Sequence, residues 1–251
     1  MIFVGMLGAA FQLQAQPKTM VALFKTKFGK MPAFVGAMQK TTIPALDQLL
    51  AQGVIQAYGL DTDVLHTGGP NMALWFSAPS YGAIQKANEA VMGSLEKHPA
   101  EAAAIGEAAD LDAHTDLLLE VTHAKFGKIP AGALPVTNLS LFRVKTGKDK
   151  DWERAAAKYF QPLYDKLVDD GVIYGYQYLA QGMHTENPGD TWFLVSMPDM
   201  SAMDKIDAAF AARMKAMSAD ERSIFEHLLP TLQEDAEHRD YIMRSIAFKA
   251  N

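Results

Sequence analysis

The sequence contains no cysteine. Disulfides, thiolate metal ligands and a cysteine nucleophile are therefore excluded, while the redox compartment stays open. Long apolar runs are also missing. The one candidate, residues 2–11, falls well short of the roughly 20 residues a helix needs to cross a bilayer, so no integral membrane segment is expected. Runs of basic residues are absent, and a net charge of −6 argues against a nucleic-acid partner. There is no glycine-rich phosphate loop, no Gly-x-Ser-x-Gly elbow and no His-Glu-x-x-His, which removes the nucleotide-binding, serine-hydrolase and zincin classes from the first rank.

What is present is an ordinary globular composition, with 251 residues of which 49% are hydrophobic and 21% charged. That is enough chain to bury a sizeable core. The composition is organised by a repeat. Leu23-Phe24-Lys25 recurs as Leu141-Phe142-Arg143, and the same shift carries Pro44, Asp47, Gly53, Tyr58 and His66 onto Pro162, Asp165, Gly171, Tyr176 and His184. Matches at one offset indicate two copies of one unit. The expected division is a first repeat over 18–124, a linker over 125–136 rich in glycine and proline, and a second repeat over 137–251.

Residues 1–17 admit two readings. The apolar run followed by Gln12 to Pro17 resembles the end of a secretory signal cleaved near Ala15 or Gln16, although no basic leader precedes it. That reading places the protein outside the cytoplasm, exported or periplasmic. The other is a short arm that packs on a cytoplasmic protein.

Hydrophobic spacing predicts strands over 20–27, 54–60, 72–77 and 115–122, and helices over 34–52, 80–97 and 99–109. Pro44 inside the first helical pattern means a kink or a restart with Pro44 in the first turn. The second copy predicts strands over 138–145, 172–180, 191–197 and 240–248, and helices over 151–169, 201–217 and 218–237. Ser201 with Asp204 and Ser218 with Glu221 have capping-box spacing.

Strand, helix, strand, strand, helix, strand is the ferredoxin-like order. The fold class is α+β, with two tandem ferredoxin-like repeats packed sheet to sheet as a pseudo-dimeric α/β barrel. On this order and duplication the chain resembles the dimeric α/β-barrel superfamily, in tandem single-chain form. The resemblance implies a ligand cavity between the two sheets. It implies one of several activities: cofactor-free monooxygenation, lactone isomerisation, haem chemistry, or binding without known chemistry. Members of the monooxygenase group place Asn, Trp and Arg around an aromatic substrate; the types occur here as Asn138, Trp75, Trp192 and Arg143.

Two sets of residues are candidates for function. Tyr58 in the first copy and Tyr174, Tyr176 and Tyr178 in the second alternate along one strand face. With Trp192 and His184 they would bind a flat, partly polar ligand, or else simply pack between the sheets. The second set comes from a repeated His-x-Asp, His114 to Asp116 and His238 to Asp240. A histidine beside a carboxylate suits a general base or a metal ligand, and equally a cap at the start of a strand. The second copy also has Arg143 where the first has Lys25, and arginine can hold a carboxylate or enolate through two parallel bonds. A proton-abstraction site of His238, Asp240 and Arg143 follows, provided all three reach one cavity. No metal site and no bound cofactor are expected; for haem, His184 and His238 are the second-copy candidates, without a recognisable signature. A small-molecule ligand is the expected partner, and self-association is compatible with the fold. The leading reading is a small-molecule-binding or stress-response-type protein. The alternatives are a cofactor-independent monooxygenase or isomerase and, third, a haem- or metal-binding barrel. No motif decides whether the protein is an enzyme.

Overall fold

The computed structural model describes residues 16–65, 68–183 and 189–251, with side chains at 235–237 left undescribed. The expected N-terminal arm and both His66 and His184 lie outside the described residues.

The first half runs β1 (Lys18–Thr26), α1 (Met31–Lys40), α2 (Thr42–Ala51), β2 (Ala57–Asp63), β3 (Met72–Ala78), α3 (Tyr81–Lys97), α4 (Pro99–Ala108) and β4 (Ala109–Phe126). The helical pattern over 34–52 breaks at Thr41 and restarts with Pro44 in the first turn of α2, where its missing N–H has no partner to lose. Gly53 then takes φ +68°, which ends the helix and delays β2 by three residues relative to the expectation.

The second half runs β5 (Val136–Val144), α5 (Asp149–Ala155), a π-helical segment (Ala156–Phe160), α6 (Gln161–Asp169), β6 (Gly175–Gln181), β7 (Asp190–Met197), α7 (Ser201–Ala216), α8 (Ala219–Leu232) and β8 (Gln233–Ala250). Ser218 caps α8 as expected, its Oγ accepting the Glu221 N–H. Ser201 does not cap α7; Asp199 accepts its N–H at 2.8 Å instead.

The eight strands close into one antiparallel barrel in the order β1-β3-β2-β8-β5-β7-β6-β4. The two sheets therefore meet edge to edge as well as face to face. The agents are β4 and β8, both far longer than the sequence pattern suggested. β4 pairs with β1 and then crosses to β6; β8 pairs with β5 and then crosses to β2. Closure leaves no unpaired strand edge open to another chain.

Alternation along each strand sends one set of side chains outward to the helices and the other into the barrel. Outside, Phe24, Tyr58, Leu60 and Phe76 pack against Phe34, Leu46, Ile84 and Ala87 of the helices. The second half repeats this with Phe142, Tyr176, Tyr178 and Val195 against Trp152, Tyr159, Leu163 and Leu167. Inside, Leu117, Leu119, Val121, Leu179 and Trp192 form a third cluster, with Val21, Leu23, Leu139, Leu141 and Leu194 against it. Full burial of each such apolar side chain stabilises the fold by about 1.5–3 kcal/mol.

Candidate functional site

The tyrosine face does not line the barrel. Tyr58, Tyr176 and Tyr178 point outward, under the helices, while Trp192 points inward. Tyr174 precedes β6, where its backbone closes the β6 ladder and meets Gly127. Gly53 and Gly171, both at positive φ, follow helices that end at Ala51 and Asp169, and each strand begins three residues later than expected. The face presented to the interior is then Gly59 and Asp61 in one half, and Gln177, Leu179 and Gln181 in the other.

His238, Asp240 and Arg143 do not meet. Arg143 faces the interior, where its Nε donates to Asp190 Oδ1 at 2.8 Å. Asp240 lies directly across from Ser140 on the outer face and accepts its Oγ–H at 2.6 Å. Ser140 and Arg143 are three residues apart on a strand whose pairing with β7 is unbroken from Val136 to Arg143, so they occupy opposite faces. The anion-holding arginine and the histidine are separated by the sheet itself. The His-x-Asp contact does form in both copies, at 3.3 Å each. His114 is further fixed by the Leu23 carbonyl and stacks on Phe24, whereas His238 stands at the exposed end of the outer face.

Rows across the two sheets reveal where the halves differ. One outer row of the first half reads Asp116, Ala22, Leu74, Leu60. Its counterpart in the second reads Asp240, Ser140, Phe193, Tyr178, and continues across the seam to His123 of β4. The next row reads Leu118, Met20, Phe76, Tyr58 in one half and Ile242, Asn138, Val195, Tyr176 in the other. Where the first half has Ala22, Leu74, Leu60 and Met20, the second has Ser140, Phe193, Tyr178 and Asn138. The helices repeat the contrast: Tyr164 of α6 stands over this row, its ring 4.8 Å from Phe193 and 5.4 Å from Tyr176.

The buried end of the row is a hydrogen-bonded relay. Tyr176 donates to Asp165 Oδ1 at 2.8 Å, and His123 Nε2 lies 3.0 Å from the same phenol oxygen. The Tyr176 phenol oxygen therefore lies between Asp165 and the His123 ring. Lys125 anchors Asp165 and Asp169 from the same strand. Burial, with the Asp165 carboxylate second, holds the Tyr176 phenol far above its ordinary pKa. Burial raises Tyr178 as well, and raises Tyr164 to about 12, with Asp207 and Asp240 adding to it. All three therefore remain neutral donors at physiological pH. Asn138 Oδ1 is buried without a hydrogen-bond partner among the described residues, a cost of about 1–3 kcal/mol that a ligand donor would relieve.

The covering helix is lightly seated. α7 buries only Ala202, whereas its counterpart α3 buries Ile84, Ala87 and Val91. Sequence reasoning missed Ser140, Tyr164 and Phe193, yet the signal was available in the repeat. Each is polar or aromatic where the residue at the matching position is Ala22, Leu46 or Leu74. His123 had no such signal, because its strand was expected to end at 122.

Among the described residues no three His, Asp or Glu side chains converge as a metal site, and no helix is long and apolar enough to cross a membrane. No protein-family model matches the chain, and no curated relative matches it in sequence. Solved structures do match over nearly the whole length. A provisionally assigned monooxygenase from Fusobacterium nucleatum subsp. nucleatum superposes with a TM-score of 0.66 at 12% identity, covering 94% of this chain and 95% of that one. An anthrone oxidase-like protein gives 0.57 at 11% identity, covering 94% of each chain. A variant of chlorite dismutase from Candidatus Nitrospira defluvii gives 0.53 at 8% identity, covering 92% and 91%.

Proposed function

We propose that this chain, which has the dimeric α/β-barrel fold, binds a flat aromatic small molecule on the helix-covered face of its second half. The ligand would lie between α7 and the row Asp240, Ser140, Phe193, Tyr178. One observation carries this reading: the first half has Ala22, Leu74 and Leu60 where the second has Ser140, Phe193 and Tyr178, and α3 buries three apolar residues where α7 buries one. Rings at Phe193, Tyr164 and Tyr178 suit stacking. Asp240, the orphan Asn138 carbonyl oxygen and the field of Asp207 make the site rich in acceptors. A ligand that presents hydrogen-bond donors, such as a polycyclic phenol, fits better than a carboxylate.

The relay of His123, Tyr176 and Asp165 favours a second reading, cofactor-free oxidation of such a phenol. A base beside a phenolic ligand can withdraw the proton that activates it toward oxygen, and two of the similar structures are named as a monooxygenase and as an anthrone oxidase-like protein. Haem fits poorly here. α6 and α7 carry no histidine, and His123 is held by Tyr176 and packed beside Tyr178.

Titration of the protein with 1,8-dihydroxyanthrone, followed by calorimetry and by visible spectra under air, tests both readings. Ser140→Ala and Tyr178→Phe should each weaken binding by about tenfold, and Ala22→Ser in the first half should not. Binding unaffected by the second-half changes would sink the site. Binding without quinone formation would leave the binding reading and remove the catalytic one.

A further inference from the structure

A separate cleft of about 420 Å³ opens on the other flank of the second half, between α5 with its π-helical continuation and α8. Its floor is apolar: Ala155, Leu228, Leu232 and the buried ring of Tyr159. Along its α5 wall stand Lys148, Arg154 and Lys158. Among the lining residues Asp151 is the one acid, paired with Arg154 and Lys148. Lys158 has no ion-pair partner among the described residues; its ammonium lies over the Tyr159 ring, 4.7 Å from the centroid. A lobe of net positive charge on a chain of net charge −6 stands against the overall field.

The matching face of the first half is built differently. At the positions matching Asp151 and Arg154 it has Ala33 and Gly36. α4 lies against α1 there, burying Ile105 and Ala108, and Lys40, the match of Lys158, is taken up by Glu101 of α4. On α8, Glu221 acts on Lys158 without forming an ion pair with it, and Leu228, Thr231 and Leu232 face the cleft. The π-helical segment begins at Ala156, on the cleft wall, where the first half simply breaks its helix at Thr41. Single π turns inside α-helices recur at functional sites.

We infer that this cleft binds an amphipathic organic anion, a carboxylate on a short hydrocarbon tail, with the head on Lys158 and Arg154 and the tail on Leu228 and Leu232. The cations alone would accept any anion. The apolar floor selects one that brings its own hydrocarbon, and Tyr159 closes the deep end. This site shares no residue with the aromatic row, so neither proposal depends on the other.

The test uses the full chain and three probes below their aggregation limits: decanoate, decanol and inorganic phosphate, each followed by calorimetry. Decanoate should bind saturably, and the other two should not. Lys158→Glu and Arg154→Glu, both at exposed positions, should lower decanoate affinity by about tenfold or more each without lowering the melting temperature. Ser140→Ala should leave decanoate binding unchanged. Phosphate binding as tight as decanoate would overturn the amphipathic assignment. Decanol binding equally well would show a greasy surface, and unchanged binding in both charge reversals would place the ligand elsewhere. Each of these results refutes the proposal.

Discussion

Asp61 offers a quantitative check on the barrel interior. Its carboxylate is wholly enclosed, accepting the Trp75 indole N–H and the Ser245 hydroxyl, both at 2.7 Å. Two donors do not replace bulk water, and burial raises the pKa from 3.8 to about 6 against their opposing effect. The folded state thus binds this proton more tightly than the unfolded chain. Stability contributed at this site is greatest below the unfolded value and is lost as the pH rises through the folded value. A shift of about two units corresponds to about 3 kcal/mol, and the window runs from about pH 4 to about 6. Asp61→Asn removes the charge while keeping both contacts, since its amide oxygen accepts from Trp75 and its amide nitrogen donates to Ser245. Urea unfolding of both proteins at a series of pH values isolates the effect, because distant carboxylates cancel in the difference. The variant should gain on the wild type with rising pH, by about 1 kcal/mol per unit within the window, and level off above it. A flat difference, or a variant that gains on acidification, would show that Asp61 is not enclosed and that the interior packs otherwise.

Three other changes test the surrounding structure. Gly59→Ala would place a Cβ 2.6 Å from the Trp75 ring, so it should destabilise by about 1–3 kcal/mol in thermal or urea melts. Arg143→Ala leaves the buried Asp190 carboxylate without its guanidinium and should cost about 3 kcal/mol in urea unfolding, discounted somewhat for the partial exposure of Arg143. Tyr176→Phe breaks the bonds to Asp165 and His123 and should cost about 1 kcal/mol in urea unfolding, and Tyr58→Phe, which loses its bond to Asp47, should cost a similar amount.

How much of this was legible in the chain differs by level. The offset repeat and the 3.6- and 2-residue periods determined the element types, their order and the α+β class, because burial of one face per element is a local property of sequence. The same periods could not say which strand face meets the helices. That choice was made by packing: Tyr58, Tyr176 and Tyr178 lie against the helices, while Leu179 and Trp192 fill the interior. Nor could local pattern reveal that β4 and β8 would each serve two sheets, since their outer halves are mixed in polarity and are held as strand by backbone pairing with the other half. The candidate site lay half in view. Ser140, Tyr164, Phe193 and Tyr178 were visible as departures from the first copy, while His123 joins them only because closure of the barrel brings the end of one half's last strand beside the other half's second. Arg143 and His238 seemed to be partners in sequence. Only the pleat of a folded strand, which sends residues three apart to opposite faces, decided that they are not.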